Sequence, residues 1–212
     1  MTESRKRDHW WWRPGWRVGR RLYTFHTTFD DQPELHRLVT AYQTALHDLG
    51  GLDVIPLGWL HLTMQGIGFT DEVSTADVDA IAAAATARLA SIAPVRLTFT
   101  RPIVDSESVQ FQPQPTEGID RVRRAVRATI AEVRGEDQVA EEETWTPHMS
   151  IAYSNAVGPI EPYAEAVSSV KAEPVTVSVP RIRLIVIHRD ERLYQWKTHT
   201  AVPLNSFHPR VG

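Results

Sequence analysis

Cysteine is absent from the 212 residues, and that absence removes several chemistries at once. Disulfides, thiolate nucleophiles and cysteine-ligated zinc or iron–sulfur centres are excluded. Long apolar runs are missing too. No stretch of about 18 apolar residues occurs, and the charged start is not followed by an apolar signal-peptide core. These gaps fit a soluble cytoplasmic protein with no membrane partner. Neither common Gly-rich nucleotide loop is present. Positive charge is not in excess either: 23 Lys+Arg stand against 26 Asp+Glu, net −3, which is not the balance of a protein that coats nucleic acid.

The charge is unevenly spread. Through Arg21 there are seven basic residues and two acids, so residues 1–19 read as a basic arm on an acidic body, residues 20–212. Four of the seven tryptophans fall in the arm's HWWWRPGWR. Aromatics interleaved with arginine can stack bases and hold phosphates. The other reading is an arm whose tryptophans pack on the body or on a partner.

The body alternates strand and helix signals. RRLYTFHTTF is rich in aromatic and β-branched residues and reads as a strand. Pro33 opens a helix carrying Leu35, Leu38, Val39, Tyr42 and Leu46 at helical spacing, and Gly50-Gly51 closes it. Short strands follow near Val54 and over Leu60 to Ile67. Ser74 or Thr75 caps a second helix that ends before Pro94. VRLTFTRPIV and SVQFQPQ read as an antiparallel pair turning at Asp105-Ser106. A third helix starts at Thr116, with Ile119, Val122, Val126, Ile130 and Val133 inward. Its arginines (Arg121, Arg123, Arg124, Arg127, Arg134) read as mostly outward, a solvated face or one that steers RNA. After an acidic loop, GEDQVAEEE, come a strand at His148, a short helix from Glu161 and three closing strands. The pattern predicts an α+β fold with antiparallel sheets.

Two stretches stand out. In WLHLTMQGIG, strand alternation puts Trp59, His61 and Thr63 on one face, and Gln65 continues it. In TPHMSIAY, His148 and Ser150 repeat the order histidine, apolar, hydroxyl, apolar. The copies lie 87 residues apart, each preceded by a helix and followed by a turn and another helix. The match predicts two similar lobes, each contributing one His-x-Thr/Ser strand. A third such triplet, His26-Thr27-Thr28, lacks the apolar second position and reads as an ordinary strand histidine. His36 and His47 read as surface histidines. His188, His199 and His208 show no metal-ligand spacing.

On these motifs the chain resembles the 2H phosphoesterase superfamily, in particular its 2′-5′ RNA ligase-like and cyclic phosphodiesterase proteins. RRLYTFHTTFDD resembles the opening strand, and RIRLIVIHRDERLYQWKTHTAVPL the closing strand pair. Tyr153, five residues after the second histidine, stands where the ligase-like branch often has arginine and is closer to the cyclic phosphodiesterase branch. The resemblance implies two lobes, each an antiparallel sheet with helices on its outer face, related by a pseudo-two-fold about an active-site cleft. It implies metal-independent cleavage of a 2′,3′-cyclic phosphate or a 2′-5′ linkage in nucleotides or RNA ends, with ligation by reversal.

The residue chemistry agrees with this reading. Two imidazoles with pKa values near neutrality suit one proton acceptor and one proton donor, so His61 and His148 are the candidate acid and base. Thr63 and Ser150 are candidate phosphate ligands through their hydroxyls. Tyr153 is a weaker candidate for the phosphate or a base, although it lies on the opposite strand parity from His148. Trp59 could wall the cleft and Gln65 adds a polar group. No cofactor or metal is called for. The reading from a different class is a catalytically silent module that binds nucleotides or RNA ends.

Overall fold

The computed structural model describes residues 5–139 and 145–205. The start of the arm, the end of the acidic loop and His208 lie outside the described residues. In chain order the elements are β1 (Arg5–Lys6), β2 (Leu22–Thr28), α1 (Pro33–Leu46), β3 (Leu52–Val54), β4 (His61–Phe69), α2 (Thr75–Leu89), β5 (Val95–Phe99) and β6 (Ile103–Val104). Then come β7 (Ser108–Phe111), α3 (Glu117–Arg134), β8 (Met149–Ser154), β9 (Gly158–Pro159), α4 (Glu161–Ser169), β10 (Val175–Val179), β11 (Arg181–His188) and β12 (Gln195–Pro203).

Two four-stranded antiparallel sheets carry the fold, ordered β12-β11-β2-β4 and β3-β8-β7-β6. They approach each other at β4 and β8. Helices α2 and α3 pack together behind the first sheet, against β12 and β4. Helices α1 and α4 pair behind the second, with α1 against β8 and α4 against β6. The lobes are not the two halves of the sequence. The first sheet joins β2 and β4 to the last two strands of the chain. Helix α1 leaves β2 of the first sheet to cover the second, and α3 leaves β7 of the second to cover the first.

Local chemistry explains the elements. In α2, Val78, Ile81, Ala85 and Leu89 recur every three or four residues and are fully buried. The Ser74 hydroxyl accepts from the Asp77 N–H at 3.1 Å, which satisfies a donor at the helix start. In α3, Ile119, Val122, Val126 and Ile130 form the same stripe. In β4, Leu62 and Met64 are fully buried while His61 and Thr63 are half-buried, so the strand divides into a core face and a cleft face. Each large apolar side chain removed from water contributes roughly 1.5–3 kcal/mol, which fixes the strand's facing.

Two expectations change. VRLTFTRPIV meets SVQFQPQ only in part: the short β6 turns back onto β7 and Thr98 bridges Gln114 antiparallel, while β5 as a whole pairs with β10. The arginines of α3 are not simply solvated. Arg123 Nε donates to the Met64 carbonyl at 2.9 Å and Arg134 Nη1 to the Ile67 carbonyl at 2.7 Å. These charged donors satisfy carbonyls on the outer edge of β4, an edge strand with no neighbour in its own sheet on that side.

Candidate active site

His61 opens β4 and His148 immediately precedes β8. Their rings are held in the same way. His61 Nδ1 lies 2.8 Å from the Trp59 carbonyl and His148 Nδ1 lies 2.9 Å from the Thr146 carbonyl, in each case two residues back. A carbonyl only accepts, so both Nδ1 atoms carry a proton and donate it. That leaves each Nε2 without a proton in the neutral ring. Thr63 and Ser150, two residues on, line the same cavity of about 890 Å³ between the sheets.

The two histidines differ in surroundings. His148 is exposed and His61 is half-buried. Burial lowers the pKa of His61 to about 4, the charge of a protonated His148 adds to this, and the Trp59 carbonyl opposes it. A third histidine completes the group. His26, opposite Thr63 on β2, is buried and stacks on His61 with centroids 4.6 Å apart and planes 9° from parallel. Its Nε2 lies 3.3 Å from Thr63 Oγ1. Burial, then the neighbouring His61, holds its pKa well below the usual histidine range. Reading His26 as an ordinary strand histidine missed this contact. The signal was present in its strand parity, but the cross-strand register that places it was not.

Two β-bulges redistribute the weaker candidates. Ser108 and Gln110 of β7 share a face, and they lie opposite Tyr153 and Ser150 respectively. The extra residue in β8 brings Tyr153 onto the cleft face despite its parity. There it lines the cavity, buried, with its phenol held protonated by burial and by Tyr194. The opposite happens in β4. Thr63 faces His26 but Gln65 faces Phe25, so Gln65 turns toward α3. Its Oε1 accepts from Arg127 at 2.8 Å and Arg123 at 3.2 Å. Gln65 borders the cavity as part of this buttress and does not continue the His61 face. Trp59 is also corrected. It ends a short helical turn before the strand begins, packs edge-on against Trp196 with centroids 4.7 Å apart, and does not line the cavity. Its backbone carbonyl, not its indole, serves His61.

The arm supplies a wall that the motif reading did not foresee. Alternate residues Arg7, His9, Trp11 and Arg13 converge on Glu107, in the turn before β7. Arg7 Nε lies at 2.8 Å, Trp11 Nε1 donates at 3.0 Å, Arg13 Nη2 donates at 2.5 Å and His9 Nδ1 lies 3.2 Å away. Burial pushes the Glu107 carboxyl up, but the Trp11 hydrogen bond and the Arg13, His9 and Arg7 charges outweigh it, so its pKa falls. Residues of the other parity reach elsewhere: Trp10 Nε1 donates to Asp53 at 2.7 Å and Asp8 pairs with Arg192 at 3.1 Å. The period of two is visible in RDHWWWR, but its target is about a hundred residues away. His9 stacks on Tyr153 with centroids 4.1 Å apart and joins the cavity lining. Among the described residues no cluster of three or more histidine or acidic side chains is placed to hold a metal ion.

This geometry has counterparts among known proteins. A family model described as the 2′-5′ RNA ligase superfamily matches residues 29–191, a span that holds both His-x-Thr/Ser strands. Among solved structures, TT0787 of Thermus thermophilus is similar at a TM-score of 0.68 and 18% identity, over 89% of this chain and 100% of that one. LigT of E. coli in its apo form is similar at 0.65 and 14% identity, over 87% of this chain and 98% of that one. LigT complexed with 3′-AMP is similar at 0.62 and 14% identity, over 87% and 98%. No curated protein matches the sequence.

Proposed function

Because the chain belongs to the 2′-5′ RNA ligase superfamily, we propose that it is a metal-independent phosphodiesterase acting on 2′,3′-cyclic phosphates or 2′-5′ linkages of nucleotides or RNA ends. The observation that carries the proposal is the matched pair of histidines. Each has its Nδ1 tied to the carbonyl two residues back, which leaves Nε2 for proton transfer, and a hydroxyl two residues on lining one cavity. LigT, similar in fold, has been crystallised with 3′-AMP and with ATP, which supports a nucleotide in this cleft.

The chemistry runs without a cofactor. For a cyclic phosphate, a water oxygen attacks phosphorus in line with the departing ribose oxygen. Neutral His61 takes the water proton on Nε2. Protonated His148 gives its Nε2 proton to the ribose oxygen as the P–O bond breaks, leaving a phosphate monoester. The lowered pKa of His61 suits the acceptor role, and the exposure of His148 suits the protonated one. Each proton transfer contributes typically ~10²–10⁴-fold. The Thr63 and Ser150 hydroxyls donate to the non-bridging oxygens where charge accumulates. The protonated Tyr153 phenol adds a further donor on the same face.

The test is turnover of 2′,3′-cyclic nucleotides in EDTA by the wild type and by a His61→Ala/His148→Ala double variant. Turnover by the wild type, lost in the variant, is the expected result. Activity surviving in the double variant overturns the site. Wild-type binding without turnover would instead mark a nucleotide-binding module.

A further inference from the structure

The cavity is longer than its reactive end. His61, His148, Thr63 and Ser150 occupy one part of it, while about 890 Å³ lies near the top of the roughly 300–1,000 Å³ range of small-molecule sites. The remainder runs along β4 beyond Thr63. Gly66, three residues or about 10 Å further along the strand, lies opposite Thr24, another cavity-lining residue. Its backbone lies outside the left-handed region, so conformation does not demand glycine there. A side-chain carbon at this position would meet only Leu22 Cδ2, at 3.9 Å. The strand, bulged on either side of this pair, is bare at that point, which leaves room for a ligand to approach its backbone closely.

The arm provides the aromatic wall of this end. Trp16 lines the cavity, half-buried, edge-on to Phe69 with centroids 5.2 Å apart. Gly15, at φ +81°, lets the arm approach: a side-chain carbon there would stand 2.6 Å from Phe69 Cε2. Arg20 covers the Phe69 ring at 3.6 Å and Arg13 borders the cavity. Because Arg7, Trp11 and Arg13 are tied to Glu107, this wall is set before any ligand arrives.

We infer that the arm-lined end of the cleft is a second nucleoside subsite, in which Trp16 stacks a base over Gly66, so that the preferred substrate is an oligonucleotide rather than a mononucleotide. This rests on the phosphodiesterase reading for the reacting end, but its own test is a binding measurement. In the His61→Ala/His148→Ala background, affinity is measured for a mononucleoside 2′,3′-cyclic phosphate, a dinucleotide with a terminal 2′,3′-cyclic phosphate and a 2′-5′-linked dinucleotide. A dinucleotide should bind ~5–150-fold more tightly than the mononucleotide, the size of one base stacked on an aromatic ring. Adding Trp16→Ala, or separately Gly66→Val to fill the space, should remove that advantage and leave mononucleotide affinity within about two-fold. Equal affinity for one and two nucleosides overturns the subsite, as does a Trp16→Ala loss that falls equally on both. Absence of wild-type turnover would overturn the phosphodiesterase reading alone.

Discussion

His61 is neutral in the folded protein because burial lowers its pKa from the ordinary 6.5 to about 4. A base works only when unprotonated, so the sign of its pH dependence is fixed. kcat/KM on a 2′,3′-cyclic nucleotide should show no acid-side loss at 6.5, and that loss should set in only as pH nears 4. A pH–rate profile from pH 3.5 to 8 checks this, and an acid limb centred at 6.5 would move the base role to another group. His26 shows what residue-level reading can miss. Its triplet lacks the motif's apolar position, yet the residue forms the floor on which His61 lies. A regular expression scores neighbours in sequence, whereas stacking depends on the register between β2 and β4.

Among elements, β4 carries the most and is supported from behind. It is an edge strand of its sheet, and α3 supplies charged donors to its free carbonyls. Arg134→Met should therefore destabilise the protein by about 1.5–3 kcal/mol, the usual worth of a charged hydrogen bond to a carbonyl. The exposed Arg124→Met should stay within about 0.5 kcal/mol. Urea midpoints at unchanged m-value decide between these outcomes. The apolar stripe of α3 was legible because a 3.6-residue period is set within one helix. The arginines beside the stripe look alike in sequence. Which of them reach a carbonyl depends on where β4 runs.

For the molecule as a whole, the arm is part of the body, as the packing reading of its tryptophans expected. Lys6 is buried, donates to the Gly51 carbonyl at 3.0 Å and lies 3.9 Å over the Tyr163 ring. Glu107 gathers the next turns of the arm, and Glu107→Gln removes the charge that holds the Arg7 and Arg13 guanidiniums together there. Trypsin should then cut after Arg7 faster than in the wild type while residues 20–139 and 145–205 stay protected, as followed by mass spectrometry. Unchanged arm cleavage would show that β1–β9 pairing and Trp10 suffice to hold it. The lobes likewise emerge only at this scale. Each sheet or its helices draw on distant parts of the chain, so the spacing of the two motifs did not reveal that α1 and α3 exchange sides.

By itself the sequence determined the strand and helix periods, the core faces and the paired His-x-Thr/Ser signature, because each is a repeat set within one element or one comparison of two. Tertiary structure alone decided the rest. A single extra residue in β8 turned Tyr153 into the cleft, and another in β4 turned Gln65 off the His61 face toward α3, since a one-residue slip reverses a strand's facing. Trp59 kept its place beside His61 but serves through its carbonyl, because the chain there is a turn and not yet a strand. Packing brought His26 beneath His61 and Glu107 among the arm's cations, and both contacts depend on distances through space that no local pattern encodes.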